Sequence, residues 1–435
     1  MSLLNSDTQL NRDSYYEATV QRPPACPPLA DALRVDVAVV GGGLAGLSAA
    51  IELALRGTRV ALLEADVVGG GASGRNGGQA LVGFASGQSE LKRQLGQTGA
   101  QAAWDMSIEA VQLMKTRLQD AQIDADWQSG ALTVATGPRK AKALAEEFEH
   151  MSACGGVTPQ WLEGDALRAH VNSDAYCAGI YETTSGHLHP LKYTLGLLAY
   201  AQSLGVQVFE HTVVKGITPG QPMQLHCGEQ RVRADAVVLA GNCSLPSWSP
   251  QLAPSIHARI MPVGTYIIAT PPLPAGQAQA LMASRAAICD NNFVLDYYRL
   301  AADDSMLFGG RVSYTTRTPR HLAEKMHQRM ATIFPSLRGL PVRHVWGGFV
   351  DISMNRAPDF GRVSPQVYYL QGFSGHGLAL TGLAGRVVAE ALQGDNARWD
   401  CFARLRHQNF PGGARWRTPV LAAGMAWHRL SDWWS

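Results

Sequence analysis

Three glycines with a fixed spacing are the residues of this sequence that most clearly indicate a chemical task. Gly41, Gly43 and Gly46 come directly after an apolar, β-branched run at 35–40 and directly before a pattern of apolar residues with helical spacing. The first glycine permits a tight turn, the second lets the backbone approach a pyrophosphate, and the third lets the helix pack closely on the strand. The N–H groups that begin the helix would bind the phosphates. This combination predicts a dinucleotide-binding turn.

One acidic residue indicates which dinucleotides can bind. Glu64 follows the predicted strand Val60–Leu63 and lies eighteen residues beyond Gly46. A carboxylate at this position accepts hydrogen bonds from both ribose hydroxyls, and it repels a 2′-phosphate, which disfavours NADP. The order of strand, glycine turn, helix, strand and acid predicts a Rossmann-type domain.

A second glycine-rich segment favours FAD over NAD. Residues 69–79 contain six glycines, and backbone without side chains can pass close to a larger, extended cofactor. Ser73, Arg75 and Asn76 in this segment could donate hydrogen bonds to phosphates or to ribityl hydroxyls. A flexible surface loop is the alternative interpretation of such a segment.

A third glycine cluster, at 371–377, lies between a predicted strand and an apolar helix. The start of that helix could stabilise negative charge at the N1–C2 edge of a reduced flavin. His376 lies in the cluster beside the expected ring, and we expect it to contact the cofactor rather than to transfer a proton. Val214 could stack on adenine, and the predicted strand at 235–240 ends in small residues that suit close approach of a cofactor.

The residues expected to contact the cofactor therefore lie on glycine turns or at the ends of neighbouring strands. They are Gly41, Gly43, Leu44, Ala45, Gly46, Glu64, Ala65, Gly71, Ala72, Ser73, Arg75, Asn76, Gly77, Gly78, Gln79, Val214, Ala240, Gly241, Gly372, Phe373, Gly375, His376, Gly377 and Leu378.

Composition restricts the remaining classes of function. The net charge is +2 and no Lys/Arg block occurs, so a nucleic-acid partner is not expected. Seven scattered cysteines without a CxxC pair favour a reducing compartment, and we expect a cytoplasmic protein. No apolar run is long enough to predict a membrane span. His187 and His189 lack a third ligand nearby, so no metal site is expected.

Several motifs together resemble the D-amino-acid oxidase-like flavoprotein superfamily, which includes the glycine and sarcosine oxidases. The resemblance extends from residue 35 to about residue 413, and within it the branch of the γ-glutamylputrescine oxidoreductases is the most similar. The motifs that carry this resemblance are GASGRNGGQ at 71–79, SGHLHPLKY at 185–193, LDYYRL at 295–300, LFGGRV at 307–312 and GFSGHG at 372–377.

The resemblance implies an α/β fold with a Rossmann-type FAD-binding domain and a substrate domain built on an antiparallel sheet. It also implies oxidation of a C–N bond to an imine by hydride transfer to flavin N5, with dioxygen reduced to hydrogen peroxide. The expected division is an N-terminal extension (1–34), a discontinuous FAD-binding domain (35–100, 150–245 and 345–435) and a substrate domain (101–149 and 246–344).

Two departures from the family pattern refine these expectations. Several members attach flavin through a cysteine just before the last glycine cluster, but the stretch at 346–354 has none, so we expect non-covalent FAD. Sarcosine oxidases carry a lysine two residues past the GHG sequence that binds the substrate carboxylate. Ala379 stands there in this chain, which favours a small amine whose reacting carbon bears no carboxylate.

The substrate-side residues are expected on strand-like stretches of the second domain. The candidates are Tyr266, Tyr297, Tyr298, Arg299 and Arg311. Alternation along a strand places Tyr297 and Arg299 on one face and Tyr298 on the other, and the sequence does not indicate which face lines the pocket. Of these, we expect Tyr266, Tyr298 and Arg299, together with His376, to form the catalytic side.

Three enzyme functions remain open at this point. The first is oxidation of γ-glutamylputrescine or a similar aliphatic amine, and the second is oxidation of a cyclic or N-methylated amino acid such as pipecolate or sarcosine. The third is a dehydrogenase that passes electrons to an acceptor other than oxygen. A flavoprotein that holds FAD without catalysis is the alternative outside the enzymes. The oligomeric state is not indicated.

Overall fold

The computed structural model describes residues 14–292, 294–313 and 318–412, and for residues 311–313 only the backbone. Two large sheets and the helices that cover them make up this part of the chain. The strands are β1 (Leu33–Val40), β2 (Val60–Leu63), β3 (Gln79–Ala80), β4 (Gln128–Ala135), β5 (Gln160–Leu162), β6 (Ala178–His187), β7 (Gln207–Phe209), β8 (Gly216–Thr218), β9 (Met223–Cys227), β10 (Gln230–Leu239), β11 (Ile260–Pro272), β12 (Ala287–Asp290), β13 (Tyr297–Leu300), β14 (Ser305–Ser313), β15 (His344–Ser353), β16 (Asp359–Ser364) and β17 (Val367–Gln371). The helices are α1 (Tyr15–Ala18), α2 (Leu44–Ala54), α3 (Gly87–Asp120), α4 (Pro138–Cys154), α5 (Gly164–Arg168), α6 (Pro190–Ser203), α7 (Leu245–Trp248), α8 (Pro254–His257), α9 (Gln277–Leu281), α10 (Leu322–Ile333), α11 (Gly377–Leu392) and α12 (Ala397–Ala403).

The first sheet has the Rossmann-type arrangement that the sequence predicts. Its order is β16-β17-β10-β1-β2-β7, and β9 and β8 continue from β10 as antiparallel strands. The strands from β17 to β7 are parallel, so their carboxyl ends meet at one edge of the sheet. Strand β1 is apolar on both faces because Val37 and Val39 pack towards α2 and α11, while Ala38 and Val40 belong to the core on the other side.

The second sheet is mainly antiparallel. Its order is β15-β11-β14-β13-β12-β4-β6-β3, with β5 paired to β6, and β12 and β4 form its parallel pair. The long strand β11 lies beside the edge strand β15, between β15 and β14. Its core contains stacked Tyr298 and Phe308 rings, 5.6 Å apart at the centroids.

The chain passes between the two sheets more often than the expected division allows. We expected 35–100, 150–245 and 345–435 in the FAD-binding domain, but β3, β5, β6 and nearly all of β15 belong to the second sheet. The division is corrected at these strands. The composition of these strands does not indicate their sheet, because long-range pairing determines which sheet takes them. Residues after 412 lie outside the described part.

Helices α2 and α11 lie against each other on one face of the first sheet, and a glycine permits their close contact. A Cβ atom at Gly385 would lie 2.5 Å from the backbone nitrogen of Ala49. Beside this contact, the buried Arg117 of α3 donates hydrogen bonds to Ser48 Oγ and Glu52 Oε1, each at 2.9 Å. Buried charges are tolerated when they are paired in this way. No helix of the described residues is both long and apolar enough to cross a bilayer.

Substitution of Gly385 tests this packing. Gly385→Ala should lower the free energy of unfolding by about 1–3 kcal/mol, because the added methyl group meets backbone that cannot rotate away. Gly339→Ala is the matched control, since a Cβ atom there meets no atom within 4 Å. Chemical denaturation of both variants measures the difference, and equal stabilities would contradict the proposed contact.

Candidate active site

A cavity of about 1390 Å³ opens where the first sheet faces the second. This volume exceeds the ~300–1,000 Å³ of common ligand pockets and suits a large cofactor together with a small substrate. The cavity adjoins the carboxyl ends of β1, β2 and β10 and the N-termini of α2 and α11. Of the residues expected to contact the cofactor, all line it except Gly46, Gly78 and Gly372.

The first glycine turn has the close contacts that its sequence predicts. Gly41 has φ +113°, and a Cβ atom there would lie 2.8 Å from the carbonyl of Ala240 at the end of β10. A Cβ atom at Gly46 would overlap the Gly41 carbonyl oxygen, which explains why Gly46 shapes the turn without lining the cavity. The first N–H groups of α2 have no acceptors within the helix and face the cavity. This is the cradle that a pyrophosphate requires.

Glu64 holds the same turn from the second strand. Its Oε2 accepts a hydrogen bond from Gly42 N at 2.5 Å, and its Oε1 accepts one from Asp66 N at 2.9 Å. Burial raises the pKa of the Glu64 carboxyl, and these two N–H groups oppose that rise. The carboxylate is therefore fixed at the cavity edge where a ribose would lie.

The side chains of the second glycine segment have two different roles. Ser73 Oγ accepts a hydrogen bond from Leu44 N at 2.8 Å, so it caps the helix that would bind the pyrophosphate. Asn76, which we expected to donate to the cofactor, uses its Nδ2 for the carbonyls of Ala72 and Ser73 and its Oδ1 for Gly78 N. Its side chain shapes the loop, because short polar side chains bond readily to nearby backbone.

A buried carboxylate that the sequence analysis missed organises the third glycine turn. Asp351 of β15 accepts hydrogen bonds through Oδ2 from the N–H groups of Gly372 and Phe373, the second at 2.9 Å. Asn242 also bonds to this carboxyl, whose pKa burial raises to about 6. The only signal in the sequence was an isolated aspartate within an otherwise apolar strand. This carboxylate fixes the turn that precedes α11.

His376 lines the cavity directly before α11. Burial, together with the charge of Arg356, lowers the pKa of His376 to about 4. The imidazole is therefore neutral at neutral pH. Position and charge state fit a residue that contacts the cofactor.

Of the predicted substrate residues, some line the cavity and others lie in the core. Tyr297 lines the cavity, and its hydroxyl lies 3.3 Å from Thr265 Oγ1. Tyr298 is in the core, where its hydroxyl bonds to Tyr176 at 3.0 Å, and the fully buried Tyr266 does not line the cavity either. The alternation along β13 separates Tyr297 from Tyr298, because only one face of this strand meets the cavity. Tyr266 lies on β11 and belongs to the apolar core of the second sheet.

Arg299 supports the second glycine segment (69–79) from the side that does not face the cavity. Its Nε donates to Gly77 O at 2.8 Å and its Nη2 to the hydroxyl of Tyr16 at 3.2 Å, and Arg299 does not line the cavity. Tyr16, in the predicted N-terminal extension, is fully buried and bonds to Asn76 O. The extension thus packs on the same loop. The side chain of Arg311 lies outside the described part of the chain.

Comparison with known proteins agrees with this geometry. Residues 36–391 match the family model described as DAO, FAD dependent oxidoreductase. The chain is 37% identical to probable oxidoreductase OrdL of Haemophilus influenzae, with 99% of each chain covered. It is 36% identical to gamma-glutamylputrescine oxidoreductase of Escherichia coli, covering 96% of this chain and 98% of the other. Glycine oxidase from Geobacillus kaustophilus has the same fold, with a TM-score of 0.72 at 20% identity, covering 87% of this chain and all of the other.

Removal of the Asp351 carboxylate should weaken FAD binding. Asp351→Ala leaves two buried N–H groups of the turn without their acceptor, at a cost of ~1–3 kcal/mol each. We expect the dissociation constant of FAD to rise about tenfold or more, measured by titration of the apoprotein. Asp351→Asn keeps an oxygen that accepts both bonds and should have the smaller effect. Equal affinities in the parent and the alanine variant would contradict this role.

The neutral state of His376 predicts a pH dependence of stability. A histidine whose pKa falls on folding stabilises the native state above its unfolded pKa near 6.5, and this contribution is lost as the pH falls towards 4. The melting temperature of His376→Asn apoprotein should therefore fall less than that of the parent between about pH 7 and pH 4.5. Exposed His211→Asn is the control. Parallel curves for parent and His376→Asn would show that the imidazole is not held neutral.

Proposed function

The chain belongs to the DAO family of FAD-dependent oxidoreductases, and on this premise we propose that it oxidises a small aliphatic amine, γ-glutamylputrescine or a close analogue, to the imine. FAD is the cofactor, and when bound it accepts the two electrons that leave the C–N unit. Dioxygen then takes these electrons and two protons and becomes hydrogen peroxide. Water hydrolyses the imine to an aldehyde and ammonia.

The observation that carries this proposal is the apolar wall that the second sheet contributes to the cavity. It faces the glycine turns and would enclose an alkyl chain beside the cofactor, excluding water from the reacting carbon. This wall includes Met261, Val263, Leu295, Phe349 and Ile352. Tyr297 and Thr265 add hydroxyl groups to the same region, which can orient an amine.

The residues at the start of α11 favour a substrate amine whose reacting carbon bears no carboxylate. Ala379 occupies the position at which sarcosine oxidases carry their carboxylate-binding lysine. Its side chain is buried in the apolar core and does not line the cavity. A carboxylate beside the reacting carbon would therefore find no cation on this helix turn.

A second candidate function rests on Arg356. This residue lines the cavity near the third glycine turn, and a guanidinium can bind a carboxylate through two hydrogen bonds. If Arg356 binds substrate, the reaction is the oxidation of a cyclic or N-methylated amino acid such as pipecolate or sarcosine.

The residues present fit non-covalent FAD. The N-termini of α2 and α11, Glu64 and Val214 would hold its pyrophosphate, flavin, ribose and adenine, respectively. No cysteine occurs in β15 or in the turn after it.

Acid precipitation should therefore leave the yellow chromophore in the supernatant, and a yellow pellet would indicate a covalent bond. None of the seven cysteines, all of which lie in the described part of the chain, forms a disulfide, which agrees with the proposed cytoplasmic location.

Anaerobic reduction of the purified flavoprotein tests the proposed function. Addition of γ-glutamylputrescine should bleach the flavin absorbance, whereas pipecolate and sarcosine should leave it unchanged. Admission of air should then restore the band and yield one hydrogen peroxide for each flavin reoxidised. Bleaching by pipecolate or sarcosine alone would support the second candidate, and bleaching without peroxide would indicate a dehydrogenase.

A further inference from the structure

Three consecutive carbonyl groups of the second glycine segment accept hydrogen bonds from buried side chains of other segments. The donors come from β15, the N-terminal extension and β13, which lie far apart along the chain. They are Trp346 Nε1 to Arg75 O at 3.0 Å, Tyr16 Oη to Asn76 O at 2.8 Å and Arg299 Nε to Gly77 O at 2.8 Å. The three acceptor residues line the cavity, whereas the three donor residues do not. These carbonyl groups therefore point away from the cavity.

The N–H groups of the same stretch differ in their acceptors. That of Asn76 donates to Ala72 O at 3.1 Å, and that of Gly78 donates to Asn76 Oδ1 at 2.9 Å. The Gly77 N–H group has no acceptor within the described residues. A trans peptide places its C=O and N–H groups on opposite sides. Because Asn76 O points to Tyr16, the Gly77 N–H group points away from Tyr16 and towards the cavity.

Arg299 places a buried positive charge behind this stretch. The residue is only 3% exposed, and its guanidinium forms no ion pair with any residue that the structure describes. It donates instead to Gly77 O and to the Tyr16 hydroxyl, at 2.8 and 3.2 Å. The backbone can approach it because a Cβ atom at Gly78 would lie 2.8 Å from Arg299 Nη2. A buried cation without a counter-ion is costly, and an anion that binds nearby offsets part of that cost.

Tyr16 connects this cation to the Asn76 carbonyl. Its hydroxyl accepts a hydrogen bond from Arg299 and donates one to Asn76 O, so the two bonds form one chain. Burial raises the pKa of the Tyr16 hydroxyl above its usual range, although Arg299 opposes that rise, and the group therefore remains protonated. Its ring packs edge-on against His189 and Trp346, with centroids 4.8 and 5.1 Å away. Hydrogen bonds in a chain polarise one another, which strengthens the N–H donor on the cavity side of the same peptide.

We propose that Tyr16 and Arg299 are positioning residues that stabilise the reduced cofactor through the N–H group of Gly77. FAD gains negative charge on reduction, and a fixed N–H donor with a cation behind it stabilises such charge. The site should therefore bind reduced FAD more tightly than it would without this chain of bonds. The N-terminal extension is then part of the cofactor site. This inference requires FAD as the cofactor but no particular amine, so it goes beyond the proposed function.

Titrations of the apoprotein with oxidised FAD and with dithionite-reduced FAD test this proposal. In Tyr16→Phe, the dissociation constant of reduced FAD should rise about tenfold more than that of oxidised FAD, because the lost bond acts mainly on the charged state. A tenfold change in this ratio lowers the two-electron reduction potential of the bound flavin by about 30 mV. Tyr15→Phe is the matched control on the same helix, because its hydroxyl donates to Asp303 at 3.0 Å and not to the glycine segment. The ratio should stay as in the parent.

Substitutions of Arg299 test the other end of the chain of bonds. Arg299→Gln removes the charge and should shift the ratio in the same direction, whereas Arg299→Lys keeps the charge and should have the smaller effect. If circular dichroism shows that Tyr16→Phe does not fold, these two variants decide, and an unchanged ratio in Arg299→Gln overturns the proposal.

Two other results would also overturn it. Equal rises of both dissociation constants in Tyr16→Phe would show that this residue only packs against the glycine segment. A shift of the ratio in Tyr15→Phe as large as that in Tyr16→Phe would show that any loss from the extension has the same effect. Neither result affects the proposed amine oxidation, because no substrate enters these titrations.

Discussion

The close backbone contact between α2 and α11 determines the geometry on which the site depends. Both helices follow parallel strands of the first sheet, so both begin at the edge where the strands end. Gly385 lets the two helices lie side by side in one layer on β1 and β10. Two positive helix ends therefore face one cavity. A single extended anion with charge at two places, such as FAD, complements this arrangement.

Carboxylates with different environments hold the glycine turns of that cavity in place. Glu64 and Asp351 accept backbone N–H groups of the first and third turns, so each turn is fixed by a bond from outside its own segment. Neutral His376 adds no charge at the start of α11. These two acidic side chains thus hold the turns that would bind the cofactor.

The sequence predicts the glycine turns that line the cavity, because such turns are a local property. Gly41 and Gly46 are required by contacts within one strand, turn and helix, and such spacing is visible without a fold. Asp351 could not be predicted to hold the third turn, because it precedes Gly372 by twenty-one residues and pairing of β15 with β11 brings it there. The choice of Tyr297 over Tyr298 also depends on which face of β13 meets the cavity. Sheet membership of β5 and β6 depends on long-range pairing in the same way.

A crystal structure of the FAD-loaded enzyme tests the central claim most directly. The account predicts the pyrophosphate at the N-terminus of α2, the ribose at Glu64 and the pyrimidine edge of the flavin at the N-terminus of α11. It also predicts that the dimethylbenzene edge and the open part of the cavity lie towards the second sheet. A flavin ring that lies away from Gly377, with the start of α11 facing only solvent, would contradict the claim that two helix ends share one cofactor.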